Sequence, residues 1–513
     1  MSVNRAYVVT NADENRFRHG SAREEQIYSY DEALDLAGNG LYSIALLATL
    51  SISTLSMAVD IFGFSVVVTG ASCDFNLGIR ETEILLSVTF IGPILMAYPW
   101  GYISDTQGRR KSLIISLWTS FMISAASAFS TNWITMAVLK LISTSFSSCA
   151  QSTTYTLLGE SCSRRFRDKY MIIMASVLDI SLAIYVVLAY FILNMEFAYD
   201  LQFIIFKPWR LLALVLSMIT GLGAFGVLFF HESPKFLLNL DRHDDALHAL
   251  AGIWRTNGGK KEFPVKKVIL NEIGNYRMKN SPIWRSFWDQ LVPIFKPPLL
   301  WRSLQLYLFT MIVYGTNNSF FIWLPYLSEQ LVKSKNSNIT NELTTVCSLI
   351  TTGNRTEKYS EDCSYKMDIT LVWFSLIQGV SFVLMMAYIS TIAHKKRFLI
   401  ITVFVASSLS GVGAVLIKEI TTSFLMFLGV LANQLVIGII CSYYVELYPT
   451  SFRGMVACLG TMVARSSALV GVSLFGHLLM TDCAASFYLS SGLMMGGALV
   501  AIALPKDKHR AKP

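Results

Sequence analysis

Charge is scarce in this chain: Asp, Glu, Lys and Arg make up 15% of its 513 residues, against 53% hydrophobic, and the mean hydropathy is +0.49. That balance excludes a soluble multidomain protein, in which about a quarter of residues are charged. Histidine is scarcer still, at seven scattered positions. With no metal-spaced His/Cys cluster, phosphate loop or nucleophile elbow, the sequence predicts no enzyme active site, no metal centre and no cofactor. The first 40 residues hold no apolar run between a basic start and a small-residue cleavage site, so no cleavable signal is expected and the N-terminus is assigned to the cytosol.

The charge that is present comes in blocks. Leu113 to Trp133 carries none, whereas His231 to Lys296 carries 11 Lys/Arg and 7 Asp/Glu. A helix needs about 20 apolar residues to cross a ~30 Å hydrocarbon core. Runs of that length predict an all-α membrane protein with twelve transmembrane helices. The first six are Ile44–Thr69, Ile84–Ile103, Leu113–Phe129, Ile134–Leu158, Met171–Leu193 and Leu211–Phe230. The second six are Leu304–Leu327, Ile369–Ala393, Phe398–Ile417, Phe424–Val445, Met455–Leu479 and Ala485–Leu504. With alternate loops on one side, that side holds 31 Lys/Arg and the other 9, while Lys140 and Arg465 lie inside spans. The positive-inside bias makes the richer side cytosolic and puts both termini there. The net charge of +8 is then a matter of topology, and no nucleic-acid partner is expected.

Glu160-Ser-Cys-Ser-Arg-Arg-Phe166-Arg167 after span four repeats as Glu446-Leu-Tyr-Pro-Thr-Ser-Phe452-Arg453 after span ten, an offset of 286 residues. The chain therefore divides into a cytosolic segment 1–40, a six-helix bundle 41–230, a cytosolic linker 231–300, a second, pseudo-symmetric bundle 301–504 with an outer loop 328–368, and a tail 505–513. In the linker, Ala246, Leu247, Leu250, Ile253 and Trp254 recur at helical spacing opposite Asp244, Asp245 and His248, which predicts an amphipathic helix under the bundle.

After span two, Gly101-Tyr-Ile-Ser-Asp105-Thr-Gln-Gly108-Arg109-Arg110-Lys111 resembles the G-x-x-x-D-x-x-G-R-R/K loop of major facilitator transporters at every fixed position. His231-Glu232-Ser233-Pro234-Lys235-Phe236-Leu237 after span six is similar to the P-E-S-P-R-F-L motif of the sugar porter and organic ion branch. Tyr30-Asp-Glu-Ala33-Leu34-Asp-Leu-Ala-Gly38-Asn-Gly40, Val59-Asp60-Ile61-Phe62 and Asp74 resemble the synaptic vesicle glycoprotein 2-like group. The resemblance implies the major facilitator fold and a secondary active transporter that moves a small polar or charged organic solute by alternating access, monomeric, in a plasma or vesicle membrane. A vesicle-membrane regulator that keeps the fold without transporting is the alternative. Span seven carries Tyr314-Gly-Thr-Asn317-Asn318-Ser319 where sugar porters are glutamine-rich, which points away from a hexose.

The inner loops carry Asp105, Arg109, Glu160, Arg167, Glu446 and Arg453, with Gly101, Gly108 and Arg110, as a cytosolic gate or, more simply, a basic turn that sets topology. An ionisable residue within a span costs at least ~2.5 kcal/mol and calls for a partner, a water-filled cavity or a function. Asp60 on span one and Lys140 on span four lie at similar depth and resemble the acid–cation pair of proton-coupled sugar porters; a static ion pair is the other reading. The proton is thus the expected coupling ion. Asp179 and Arg465 are again 286 residues apart and either flank one solute cavity or find separate partners. Asn317, Asn318, Gln378, Asn433 and Gln434 are the remaining cavity candidates. In the outer loop, Asn338 and Asn354 are glycan acceptors, and Cys347 and Cys363 either pair or stay free.

Overall fold

The structure is a computed structural model. It describes residues 27–260, 262–269, 299–336, 369–392, 395–447 and 450–504, with single positions between them, among them Cys347 and Met367. Among the described residues, nine helices are long and apolar enough to cross a membrane.

In the first half the chain runs α1 (Tyr30–Ala37), α2 (Leu41–Phe62), α3 (Phe64–Ala71), α4 (Ile79–Gln107), α5 (Arg109–Ser127), α6 (Trp133–Ser147), α7 (Cys149–Ser161), α8 (Arg164–Leu193) and α9 (Pro208–Val227). Helices α2 and α3 together cover the first apolar run, and α6 and α7 the fourth. Helix α5 opens on Arg109, Arg110 and Lys111, and its buried face carries a serine stripe, Ser112, Ser116, Ser120, Ser124 and Ser127. Such small residues let neighbouring helices approach closely. Most of these hydroxyls return to their own helix, as Ser112 Oγ does to the Gly108 carbonyl at 2.7 Å.

The second half runs α12 (Leu300–Asn336), α13 (Ile369–Ile392), α14 (Lys396–Leu416), α15 (Ile420–Leu431), a 3₁₀ turn (Ala432–Leu435), α16 (Val436–Leu447), α17 (Thr450–Thr481) and α18 (Cys483–Ala501). Helices α12 and α17 pack through small residues. A Cβ on Gly471 would lie 2.1 Å from the Gly315 carbonyl oxygen, so the backbone contact itself requires glycine there. The offset of 286 that relates Glu160 to Glu446 also carries Ser148, where α6 gives way to α7, onto Gln434 in the 3₁₀ turn. Spans four and ten are thus interrupted at matching positions.

The N-terminal segment is tied to the linker between the two halves. Strand β1 (Ile27–Ser29) pairs in parallel with Lys267–Ile269 of the linker. Ser29 and Glu32 form a reciprocal capping box at the start of α1. Tyr30, Ala33 and Leu34 of α1 pack with Leu237, Leu250 and Val268 in a cluster of their own, which includes α10 (Pro234–Asn239) and α11 (His243–Thr256). On α11 the buried face is Ala246, Ala249, Leu250 and Ile253, close to the expected amphipathic stripe.

The outer side carries one correction. Cys347 is bonded to Cys483 at the start of α18, with a Cα–Cα distance of 5.4 Å, and not to Cys363. Cys483 begins a span, so its sulfur lies at the same end of the bundle as the loop. Cys73 is also disulfide-bonded. Cys363 and the glycan acceptors Asn338 and Asn354 lie outside the described residues.

Candidate functional site

Three sets of charged and polar side chains contain residues singled out in the sequence. In the first, the helical face of α6 that presents Lys140, Ser143 and Ser147 is aimed at Asp60 of α2. Asp60, Lys140 and Arg465 are 5%, 4% and 3% exposed. Lys140 Nζ donates to Asp60 Oδ1, and Ser124 of α5 donates to the same oxygen at 3.2 Å. Ser143 and Ser147 each donate to Oδ2 at 3.1 Å. The ammonium also stands 4.9 Å from the centroid of the Phe64 ring, a cation–π arrangement. A void of about 10 Å³ beside the pair is lined by first-half residues alone, including Val67, Ser127, Ala213 and Leu216. It has room for at most one water molecule. This void has no space for an organic solute. The four donors offset the desolvation that makes buried ion pairs costly.

The second set joins the two halves near the middle of the spans. Arg465 of α17 donates from Nη2 to Gln151 Oε1 of α7 at 2.9 Å, and the same nitrogen lies 3.7 Å from Met57 Sδ of α2. Its Nε meets no acceptor among the described residues. Asn317 Nδ2 donates to Gln434 Oε1 at 2.7 Å, and Asn433 Nδ2 to Thr316 Oγ1 at 2.7 Å, so two parallel bonds tie α12 to the 3₁₀ turn. Asn317 Oδ1, Asn433 Oδ1, Asn318 Nδ2 and both amide atoms of Gln378 on α13 are buried without a hydrogen-bond partner among the described residues. Each such group costs about 1–3 kcal/mol if nothing else reaches it. Asp179 lies on α8, and its side chain is outside the described residues. Toward the outer side, further contacts link the halves: Ser87 Oγ to Ser473 Oγ at 3.2 Å, Phe62 against Phe321 at 5.7 Å, and Asn194 Nδ2 to the Met367 carbonyl at 3.0 Å.

The third set lies around the turn between α4 and α5. Gly101 and Asp105 are on α4, and Arg109 Nη2 reaches Asp105 Oδ1 at 3.1 Å while its Nε reaches Glu160 Oε2 at 3.0 Å. Its guanidinium stands 4.9 Å from the Phe236 ring centroid. Glu232 Oε1 accepts the Arg110 N–H at 2.9 Å and Oε2 the Lys111 N–H at 3.3 Å, placing a carboxylate on the positive end of α5. Gly108 has φ +111°, and a Cβ there would lie 2.5 Å from Glu232 Oε2, so the turn requires glycine twice over. Arg167 pairs with Asp31 of α1 at 3.3 Å. The side chains of Glu446 and Arg453 lie outside the described residues. Just outside the spans, burial first, and then His248 and Arg110, hold the His231 imidazole below its usual pKa. Burial pushes the Cys162 thiol up to about 12.

The sequence profile of the Major Facilitator Superfamily matches residues 50–353, more than half of the chain. The chain belongs to this superfamily. Rat synaptic vesicle 2-related protein is 24% identical over 500 residues, 95% of this chain and 82% of that protein. Mouse synaptic vesicle glycoprotein 2C is 24% identical over 257 residues, 49% of this chain and 35% of that protein. The organic cation/carnitine transporter 7 of Arabidopsis thaliana is 26% identical over 259 residues, 50% of this chain and 48% of that protein. The matched region thus spans about a third to a half of the length of those two relatives. A partially occluded, inward-open structure of the xylose transporter XylE from E. coli superposes with a TM-score of 0.62 at 15% identity, covering 91% of this chain and 100% of that one. At that identity the likeness shows the fold: a helical major facilitator fold in a multi-pass membrane protein.

Within this fold, several contributing residues have no signature of their own in sequence. Ser124, Ser143 and Ser147 belong to a chain rich in intramembrane serine, and only the i, i+3, i+7 spacing from Lys140 singles out two of them. Gln151 carries no sequence signal that sets it beside Arg465, because its azimuth on the span depends on the neighbours that pack there. Asp31 and Asp35 lie in the N-terminal segment 1–40, which the sequence reading left without a site. Asp35 Oδ1 accepts from Ser163 Oγ at 2.6 Å and the Arg164 N–H at 3.1 Å, and Tyr30 OH donates to the Glu160 carbonyl.

Proposed function

We propose that the chain is a secondary active transporter of twelve spans in two six-helix bundles, which moves a small polar or charged organic solute by alternating access and couples that movement to protons through Asp60. The observation that carries the transport reading is the midplane set that straddles the halves. Arg465, Asn317, Asn318, Gln378 and Asn433 keep polar atoms unpartnered among the described residues where a scaffold would fill the space with apolar side chains. Both termini are proposed to be cytosolic, from the 31 to 9 asymmetry of Lys and Arg. The cluster of Asp105, Arg109 and Glu160 is proposed as the first-half part of an inner gate, with Glu446 and Arg453 as its counterpart.

For coupling, Asp60 is the only acid in the enclosed first-half set, and a proton added there would cancel its charge and release Lys140. A second reading, a membrane protein that binds partners without transporting, draws on the same enclosure, since a fully satisfied ion pair also serves as a static tie. Uptake into proteoliposomes with and without a pH gradient separates the two. Asp60→Asn, which mimics the protonated acid, should abolish gradient-driven accumulation and leave solute exchange intact. Accumulation that survives this substitution removes Asp60 from coupling, and absence of any flux across a broad solute panel favours the static tie.

A further inference from the structure

Between α8 and α9 the chain makes a short hairpin that the transport reading does not use. Strands β2 (Tyr199–Asp200) and β3 (Ile205–Phe206) pair antiparallel. The Leu201 N–H donates to the Ile204 carbonyl at 3.0 Å and the Gln202 N–H to Asp200 Oδ1 at 2.8 Å, which closes the turn between them. We propose that this hairpin is an interfacial anchor: its apolar tip sits at the boundary between headgroups and acyl chains of the leaflet at that end of the bundle, and the partner it binds is the lipid surface itself. The proposal holds whether or not the chain transports.

Met195, Tyr199, Leu201, Phe203 and Ile205 are all exposed, Tyr199 and Phe203 to 65% each. Grouped apolar exposure of this kind marks a protein or a membrane contact. The flanks of the hairpin decide between them. Ile115 and Met122 of α5, and Phe129 just past its end, recur on one helical face and are exposed, which is the pattern of a face turned to lipid. The Phe129 ring meets the Phe206 ring of β3 at 6.3 Å, Phe197 stacks on Phe206 at 6.3 Å, and Phe197 lies 5.6 Å from Tyr199. Aromatic rings thus carry the lipid-facing stripe of α5 onto the hairpin. On α9, Met218, Leu222 and Phe225 form a second exposed apolar stripe. Aromatic side chains concentrate where spans leave the hydrocarbon, because an amphipathic ring suits the headgroup level. The segment Met195–Phe206 carries no Lys or Arg, which leaves little charge for a soluble partner to read.

The hairpin is also clamped in place. Arg210, buried near the start of α9, donates from Nη1 to the Ala128 and Ser130 carbonyls at 2.7 and 2.8 Å and from Nε to the Ile205 carbonyl at 3.1 Å, which fixes β3 to the end of α5. Its guanidinium stands 4.2 Å from the Trp209 ring centroid. Trp209 Nε1 and Lys207 Nζ both donate to Asp74, at 2.7 and 2.5 Å, and tie the foot of the hairpin to the residues just past α3. A loose loop folds its apolar side chains inward, whereas a clamped one needs an apolar medium for them. The tip cannot travel far from the bilayer, since Phe203 is five residues from Pro208, where α9 begins, a reach of at most about 17 Å. At the equivalent place in the second half, α17 and α18 are joined by the single residue Asp482, so the anchor belongs to the first half alone.

The test uses the purified full chain, one copy per nanodisc, with an environment-sensitive fluorophore on an introduced cysteine and the parent chain labelled alongside as the blank. Phe203→Cys reads the tip, and Leu201→Cys gives an independent reading should the first change disturb the turn. Leu222→Cys on the exposed stripe of α9 is the bilayer reference, and Asp244→Cys on α11 of the linker is the aqueous one. Aqueous iodide should quench both hairpin labels about threefold less than the label at Asp244, as for a residue at the headgroup level. A nitroxide carried on lipid near the headgroups should quench them more than one at the chain ends. With Phe203→Glu added, iodide quenching of the Leu201 label should rise about threefold, because a charge at the tip disfavours insertion. The proposal is overturned if the hairpin labels respond to iodide as Asp244 does, which puts the tip in water, or if neither quencher reaches them, which means that the chain's own loop 328–368 covers it. It is equally overturned if Phe203→Glu leaves the Leu201 label unmoved.

Discussion

Asp60 and Arg465 are buried to nearly the same degree in the spans, yet their surroundings differ. Asp60 receives Lys140, Ser124, Ser143 and Ser147 from helices of its own half, which leaves its carboxylate saturated. Arg465 reaches across to the other half and keeps Nε without a described acceptor. A charge saturated from its own half can move as a unit with that half, whereas one held by the opposite half has to change partners whenever the halves move. The difference separates an ion pair enclosed within one half from a buried cation held across the two halves.

The sharpest break in this comparison comes from Lys140→Ala. It strands a desolvated carboxylate and should cost about 3–5 kcal/mol of stability, while Asp60→Asn with Lys140→Met, which removes both charges together, should recover most of it. Equal losses for the single and the double change, in thermal or denaturant unfolding, would mean that the pair is not electrostatically coupled. Next in size is Ser143→Ala, which takes one neutral donor from the saturated carboxylate; about 1.5 kcal/mol is expected, and no loss would show that the serines are bystanders. Arg465→Met should cost less than about 1 kcal/mol, because its described contacts are one amide and a thioether. A loss as large as that of Lys140→Ala would erase the distinction between the two charges.

The smallest effect lies outside the spans, at His231, which stacks on Tyr42 at 6.1 Å and faces His248 edge-on at 6.1 Å, with Arg110 nearby. Its folded pKa lies below the ordinary 6.5, so the unfolded chain takes up a proton that the folded chain resists. This contribution to stability is full above pH 6.5 and is lost as pH falls through the folded pKa. His231→Asn should flatten the acid side of the stability profile by a modest amount, and an unchanged profile would place the sensitivity elsewhere.

Depth arithmetic along the apolar runs was enough to set Asp60 opposite Lys140, because helical rise converts sequence position into height. The glycine turn at Gly108 and the Arg109 cluster were legible for a similar reason: a motif with local geometry carries its own structure. Gln151 was not legible, since the azimuth of a residue on a span depends on which neighbours pack there. The pairing of Ile27–Ser29 with Lys267–Ile269 escaped notice because three-residue strands have no period to read. Cys347 and Cys363, which share one loop, could in sequence either pair or stay free, whereas the fold places Cys483 beside Cys347.

The bond between Cys347 and Cys483 closes a covalent ring around 136 residues of separation, which takes in everything from the outer loop to the start of α18. A protease that nicks any exposed connection within that ring leaves a single molecule of unchanged mass, apart from one water. Only reduction releases the fragments, so the same sample would run as one band or two according to whether thiol is added.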